Sequence, residues 1–244
     1  MKTAVISQPM LFPWPGFFEL VATADVYVHL DDAQFSSNGF INRVQVKHAT
    51  GWSWMTIPIH KSGLQSPIRD VSAADGPWRR RNRTLLSQSL ARASHLDEAL
   101  RLFDQAYSHE RIPELLMDSI ESPARYLGLF KADTARSSEL KVSGKGWQRV
   151  LDIVQAVGCE RYVTAHGARN YLDHEAFERA GVTVEYICYS RTPYQQLHGE
   201  FQPYVTVLDL IAALGSKAAA AIRPATTPWR AFVADASAAA PQLS

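Results

Sequence analysis

Residues 3–32 read TAVISQPMLFPWPGFFELVATADVYVHLDD. The first five, TAVIS, are short, apolar and β-branched, and Gln8-Pro9 stops them, which is the pattern of a buried strand. A turn rich in proline and aromatic residues follows, from Pro9 to Phe17. FFELVATA then carries a helical pattern, and DVYVHLDD alternates as a second strand, with Val26, Val28 and Leu30 on one face. Strand, helix and strand in so short a span make a βαβ unit. Such a unit predicts parallel pairing through a right-handed crossover.

Working outward, the stretch INRVQVKHATGWSWMTIPIH (41–60) has two β-rich runs around HATG and predicts a hairpin. Residues 60–78 are rich in Ser, Gly and Pro and read as a loop. Residues 78–128 read as a helical insertion broken at Ile112-Pro113. Beyond them, KADTARSSEL (131–140) predicts a short strand ending in two serines, and KGWQRVLDIVQAVG (145–158) a helix closed by glycine. ERYVTAHG (160–167) predicts a strand, YLDHEAFERAG (171–181) a helix, VTVEYICY (182–189) a strand, and YVTVLDLIAALG (204–215) a last amphipathic helix. The fold class expected is α/β, a mostly parallel doubly wound sheet with a β-hairpin and a helical insertion. Residues 1–218 are expected to form a single domain, with 219–244 an Ala/Pro-rich, frayed tail.

Composition narrows the function. The 244 residues carry 25 basic and 24 acidic side chains, a net charge of +1, so no general attraction to nucleic acid or membrane is expected. No apolar run approaches the roughly 18 residues of a membrane helix. MKTAVISQP has too short an apolar core for a signal peptide, and a cytoplasmic location is expected. The two cysteines, Cys159 and Cys188, have no metal-ligand spacing and read as small buried residues. No metal site is expected.

In a doubly wound sheet, ligands bind outside the carboxyl ends of the strands. Gln8, the turn with Trp14 and Gly16, Asp31-Asp32, Ser137-Ser138, His166-Gly167 and Tyr189-Ser190 all fall at strand ends. They are expected to line one crevice. Gly16 permits close approach to the start of a helix, where free N–H groups favour a phosphate or carboxylate. The plainer reading is a rigid loop with Trp14 packed on the core. Asp31 and Asp32, in an extended chain, point to opposite faces, so one is expected to hold an ammonium, a hydroxyl or a cation while the other pairs locally. Gln34, Asn42 and Arg43 follow nearby, and Arg43 offers a planar fork to a carboxylate or phosphate, or else makes a surface salt bridge.

Trp14-Pro15-Gly16-Phe17 resembles a degenerate His-x-Gly-His turn of nucleotidylyltransferases, placed likewise between a first strand and a first helix. Both histidines are replaced here. The resemblance implies the fold and counts against adenylyl transfer. Most of the chain, to about residue 215, resembles the WbqC-like protein family. The matching stretches are QPMLFPWPGFFELVATADVYVHLDDAQF, INRVQVK, GWSWMTIPI, SSEL, GCERYVTAHGARNYL and YQQLHGEFQPYVTVLDLIAALG. Phe17 stands where Tyr is common in the family, and Val205-Thr206 where Leu-Ser is common. Tyr171 and Gln196 lie inside matching stretches and join the candidate binding set. The resemblance implies a role in surface-polysaccharide or natural-product biosynthesis: acylation or aminoacylation of an amine, such as that of a nucleotide-linked amino sugar.

Amide formation from a thioester needs a base for the amine, an oriented attack and a stabilised oxyanion. His198, beside Gly199, is the first candidate base and His166 the second; a surface histidine is the alternative in each case. Asp32 is the expected amine or sugar anchor, and Cys188 or a serine is a candidate acyl acceptor. The cluster WRRRNR (78–83) reads as a solvated helix face. The sharper alternative is that Arg79, Arg80 and Arg83 dock an acyl carrier protein bearing a phosphopantetheine-linked thioester. The rival functions are a nucleotidyltransferase-like enzyme using a nucleoside triphosphate, and a non-catalytic binding protein.

Overall fold

A computed structural model describes residues 1–37, 39–61, 65–130 and 133–238. Strand β1 (Thr3–Ser7) lies at the centre of a six-stranded sheet. Helix α1 (Pro15–Val21) leads from it to β2 (Val26–His29), which pairs parallel to β1 with Ala4 opposite Val26 and Ser7 opposite His29. The βαβ reading of the opening stretch is therefore the observed structure. Proline opens α1, where its missing N–H costs nothing.

The chain then leaves the sheet for the expected hairpin, β3 (Arg43–His48) and β4 (Gly51–Thr56), in antiparallel register from Arg43–Thr56 to His48–Gly51. Three helices follow, α2 (Trp78–Ser89), α3 (Leu96–Tyr107) and α4 (Ile112–Tyr126). Helix α3 buries Ala99, Leu102, Phe103, Ala106 and Tyr107, spaced as one helical stripe. Strand β5 (Asp133–Arg136) rejoins the sheet beside β2. Helix α5 (Gly146–Ala156), β6 (Arg161–Thr164), α6 (His174–Arg179), β7 (Thr183–Ile187) and α7 (Val207–Leu214) complete the expected elements.

The sheet order is β5-β2-β1-β6-β7-β8, and the first five strands are parallel. Their carboxyl ends share one edge, and the chain's direction of travel reverses between β1 and β6, which is the switch point of a doubly wound sheet. Side chains alternate between two cores. Val5 and Tyr27 face one core, with α1, α3, α4 and α7. Ala4, Ile6, Val26, Val28, Tyr162, Val184 and Tyr186 face the other, with α5 and α6.

The C-terminal stretch differs from the frayed tail expected from residue 219. β8 (Thr226–Pro228) pairs antiparallel with β7, and α8 (Trp229–Ala238) follows at once. Phe232 stacks on Tyr186 with ring centroids 4.1 Å apart, and Trp229 stacks on His174 at 4.6 Å. Two aromatic anchors at helical spacing overcome the alanine-rich composition. Residues 239–244 of the expected tail, 62–64 of the expected loop, and Lys131 and Ala132 before β5 lie outside the described residues.

Candidate functional site

At the ends of β2 and β5 the expected polar groups do converge, and they bond to one another. Asp31 is buried and accepts from Ser138 through its backbone N–H (3.0 Å) and its Oγ (2.7 Å), and from Ser137 Oγ (3.2 Å). Asp32 accepts from Ser137 Oγ at 2.6 Å and from both terminal nitrogens of Arg149 on α5, one of them at 3.0 Å. The strand has already ended at His29, so the chain turns and both carboxylates reach Ser137 instead of diverging. Burial raises the Asp32 carboxyl, but the bonds from Arg149 and Ser137 outweigh it and hold the group below the usual carboxylate range. This cluster ties β2, β5 and α5 together. Arg149 lies 117 positions from Asp32, and its only signal in the sequence is a lone arginine before the buried Val150-Leu151 pair of α5.

The space beside Gly16 is filled by the protein itself. A Cβ on Gly16 would lie 1.9 Å from the Trp14 ring. The indole in turn meets Tyr189 at 4.9 Å and Tyr204 at 5.2 Å between ring centroids. The turn after β1 is therefore stapled to the chain after β7. Gln8 follows β1 half-buried, and its carbonyl accepts from Ser7 Oγ. Gln34 is exposed and bridges to Pro67. Asn42 donates to the Ile57 carbonyl at 2.8 Å, while its Oδ1 is buried with no partner. Arg43 lies 4.3 Å over the Trp54 ring and donates to the Gly39 carbonyl. Asn42 and Arg43 belong to the base of the hairpin.

Gln196 is the hub of a buried network. Its Oε1 accepts from Lys47 Nζ at 2.7 Å and from the Gln202 N–H at 2.9 Å, and its Nε2 donates to Tyr194 Oη and the Gln202 carbonyl. Tyr194 donates to Asp209 at 2.7 Å, and burial pushes the Asp209 carboxyl up. His198 donates from Nε2 to the Ser89 carbonyl at 2.9 Å and lines a hollow of about 400 Å³ under the hairpin tip, with His48, Ser53 and Gln88. Of the arginines on α2, Arg79 bonds the His109 carbonyl (2.8 Å) and Arg83 forms a two-bond pair with Asp104 (2.8 and 2.9 Å). Arg80 and Arg81 are exposed.

The larger opening lies at the carboxyl ends of β6 and β7. A cleft of about 760 Å³ is lined there by His166, Arg169, Asn170, Cys188, Tyr189 and Phe232, among others. His166 opens a short 3-10 turn (His166–Asn170) directly after β6, and Tyr171 follows it half-exposed. His166 Nε2 lies 2.7 Å from the Ile187 carbonyl, which can only accept, so Nε2 carries the proton and Nδ1 of the neutral ring keeps a lone pair. Cys159 is buried as expected, but Cys188 is only half-buried because it lines the cleft, its Sγ 2.9 Å from Thr227 Oγ1. Burial, with a contribution from Glu19, pushes the Tyr189 hydroxyl up to about 12. Arg169 and Asn170 are visible in the AHGARNYL stretch as polar residues after a strand. Phe232 was hidden by the alanine-rich composition around it. Among the described residues, no three His, Cys, Asp or Glu side chains are grouped to hold a metal ion.

Comparison with known proteins adds a family to this geometry. An uncharacterized protein of Mycobacterium tuberculosis, Rv1507c, is 27% identical over 223 residues, covering 89% of this chain and 96% of its own. No solved structure matches. The model of the WbqC-like protein family matches residues 8–221, from the glutamine after β1 to the turn before β8, and the chain belongs to that family.

Proposed function

We propose that the protein is an acyl- or aminoacyltransferase that forms an amide on a small-molecule amine, with the cleft at the ends of β6 and β7 as its reaction site. The acyl group comes from a carrier-protein or coenzyme A thioester. The observation that carries the reading is the tethered His166: a backbone carbonyl fixes its tautomer and leaves Nδ1 as a lone pair beside a cleft large enough for a substrate. That is the arrangement of a general base held by an orienting acceptor.

The chemistry follows from these groups. His166 Nδ1 takes a proton from the amine as its nitrogen attacks the thioester carbon. A C–N bond forms and the C–S bond breaks. The proton then passes from His166 to the departing thiolate. Arg169 and Asn170, beside His166, supply donors for the oxyanion. Asp32, expected as the amine anchor, is engaged by Arg149 and Ser137, and its role here is to hold the edge in shape. His198 is tethered in the same way as His166 but beside the smaller hollow.

Intact-mass spectrometry tests the reading. The protein is mixed with acyl-loaded and glycyl-loaded carrier protein, with and without a nucleotide-linked amino sugar. The expected result is unloading of the carrier with a matching mass gain on the acceptor, reduced at least about 100-fold in His166→Ala. If His198→Ala is the variant that loses turnover, the site moves beneath the hairpin. Acyl mass retained on the protein would point to Cys188 as a covalent carrier. No change in any mass overturns the proposal.

A further inference from the structure

Two separate parts of the chain wall the cleft at the ends of β6 and β7. His166, Arg169, Asn170, Cys188 and Tyr189 lie within residues 8–221, which the family model matches. Thr227, Phe232 and Asp235 come from β8 and α8, beyond that match. The groups assigned to the transfer chemistry all belong to the first part. The second part adds a ring and a charge.

The Phe232 ring stacks on Tyr186 and lies 4.8 Å from the His166 ring, centroid to centroid, while His166 lies 5.1 Å from Tyr189. These side chains make one aromatic wall with the proposed base at its middle. Asp235 follows Phe232 by three residues, one turn along the same face of α8. It is exposed, and it is the one carboxylate among the described residues of the lining. Among the described residues it forms no ion pair, with Arg169 or with any other cation. Other contacts seat the helix: Trp229 donates to Glu178 at 2.8 Å and stacks on His174, and Arg230 pairs with Glu178 at 2.7 Å. Asp235 is therefore not used to hold α8, and its charge stays available at the cleft. Pockets bind through a mostly apolar surface with a few placed polar groups. A ring wall with an unused carboxylate one helical turn away, about 5–6 Å along, complements an ammonium group carried next to a ring.

We propose, on the reading of this cleft as the transfer site, that α8 selects the acceptor: a primary amine attached to a ring system, the ring against Phe232 and the ammonium toward Asp235. Saturation-transfer NMR on the full chain tests this without turnover. The probes are tyramine with its neutral counterpart 4-ethylphenol, glucosamine with glucose, and ethanolamine as the amine without a ring. At least one ring-bearing amine is expected to bind about threefold or more tighter than its neutral counterpart, and about tenfold tighter than ethanolamine. Asp235→Asn is expected to erase the first preference and Phe232→Ala the second. If Phe232→Ala does not fold, Phe232→Leu is read by the same criterion. Tyramine ahead of glucosamine assigns an aryl ring, and the reverse order a sugar ring. No saturable signal from either amine, or an undiminished preference in Asp235→Asn, overturns the proposal. Carrier unloading onto an amine that is indifferent to Asp235 and Phe232 would leave the transfer reading standing without this one; binding as expected with no transfer would do the reverse.

Discussion

The two halves of the carboxyl edge use similar residues to opposite ends. On the β2–β5 side, two carboxylates, two serines and an arginine saturate one another, so the cluster has little left to offer a substrate. On the β6–β7 side, one histidine is tethered through a single nitrogen beside an open cleft. Position at a strand end is common to both. Whether a group's hydrogen-bonding capacity is already used is what separates a structural clamp from a reactive site.

That contrast is open to direct attack. The largest effect is expected from Arg149→Met, which leaves Asp32 without its cation in a setting where both partners are mostly buried. A loss of about 3 kcal/mol is expected, read as a lower urea midpoint. Unchanged stability would mean that the clamp is not one. Next, His166→Ala is expected to cut turnover about 100-fold while leaving the urea midpoint in place. A parallel fall in stability would make His166 a structural residue like those on the other side.

A smaller effect is expected from Gly16→Ala. The added methyl collides with the Trp14 ring, so the indole must leave its seat against Tyr189 and Tyr204. About 1–3 kcal/mol of stability should be lost, with a shift in tryptophan fluorescence. A further test is pH. The folded Asp32 carboxyl is held below its unfolded value, so its contribution to stability is present above about pH 4 and is lost as pH falls through the folded value. Asp32→Asn is expected to flatten the acid limb of a stability-versus-pH curve; an unaltered limb would assign acid sensitivity elsewhere. The smallest effect belongs to Arg80→Glu with Arg81→Glu. These exposed residues should change stability by less than about 0.5 kcal/mol. They should still slow carrier unloading at low salt if α2 is the docking face.

Much of the frame was legible because it depends on local periodicity. TAVIS and DVYVHLDD alternate or run apolar over strand lengths, and the helical stretch between them supplies the crossover that parallel pairing needs. The strand ends could be named for the same reason. What chain order hides is the partner of each polar group. Asp32 meets Arg149, Gln196 meets Lys47, and His198 meets the carbonyl of Ser89, all across long sequence separations. Those contacts decide which groups remain available, and no spacing rule reports them. The C-terminal helix was obscured because alanine dominates its composition, although Trp229 and Phe232 stand three apart on one face.

The short strand β8 does more than hold α8 in place. Parallel strand β7 would otherwise end the sheet with a row of unpaired backbone groups, an invitation to pairing with a second molecule. By running antiparallel along β7, residues 226–228 close that template, and the helix that follows lays Phe232 against the cleft at the ends of β6 and β7. Proteolytic trimming of this segment would therefore carry a double signature: self-association through the bared strand, and loss of one wall of the site.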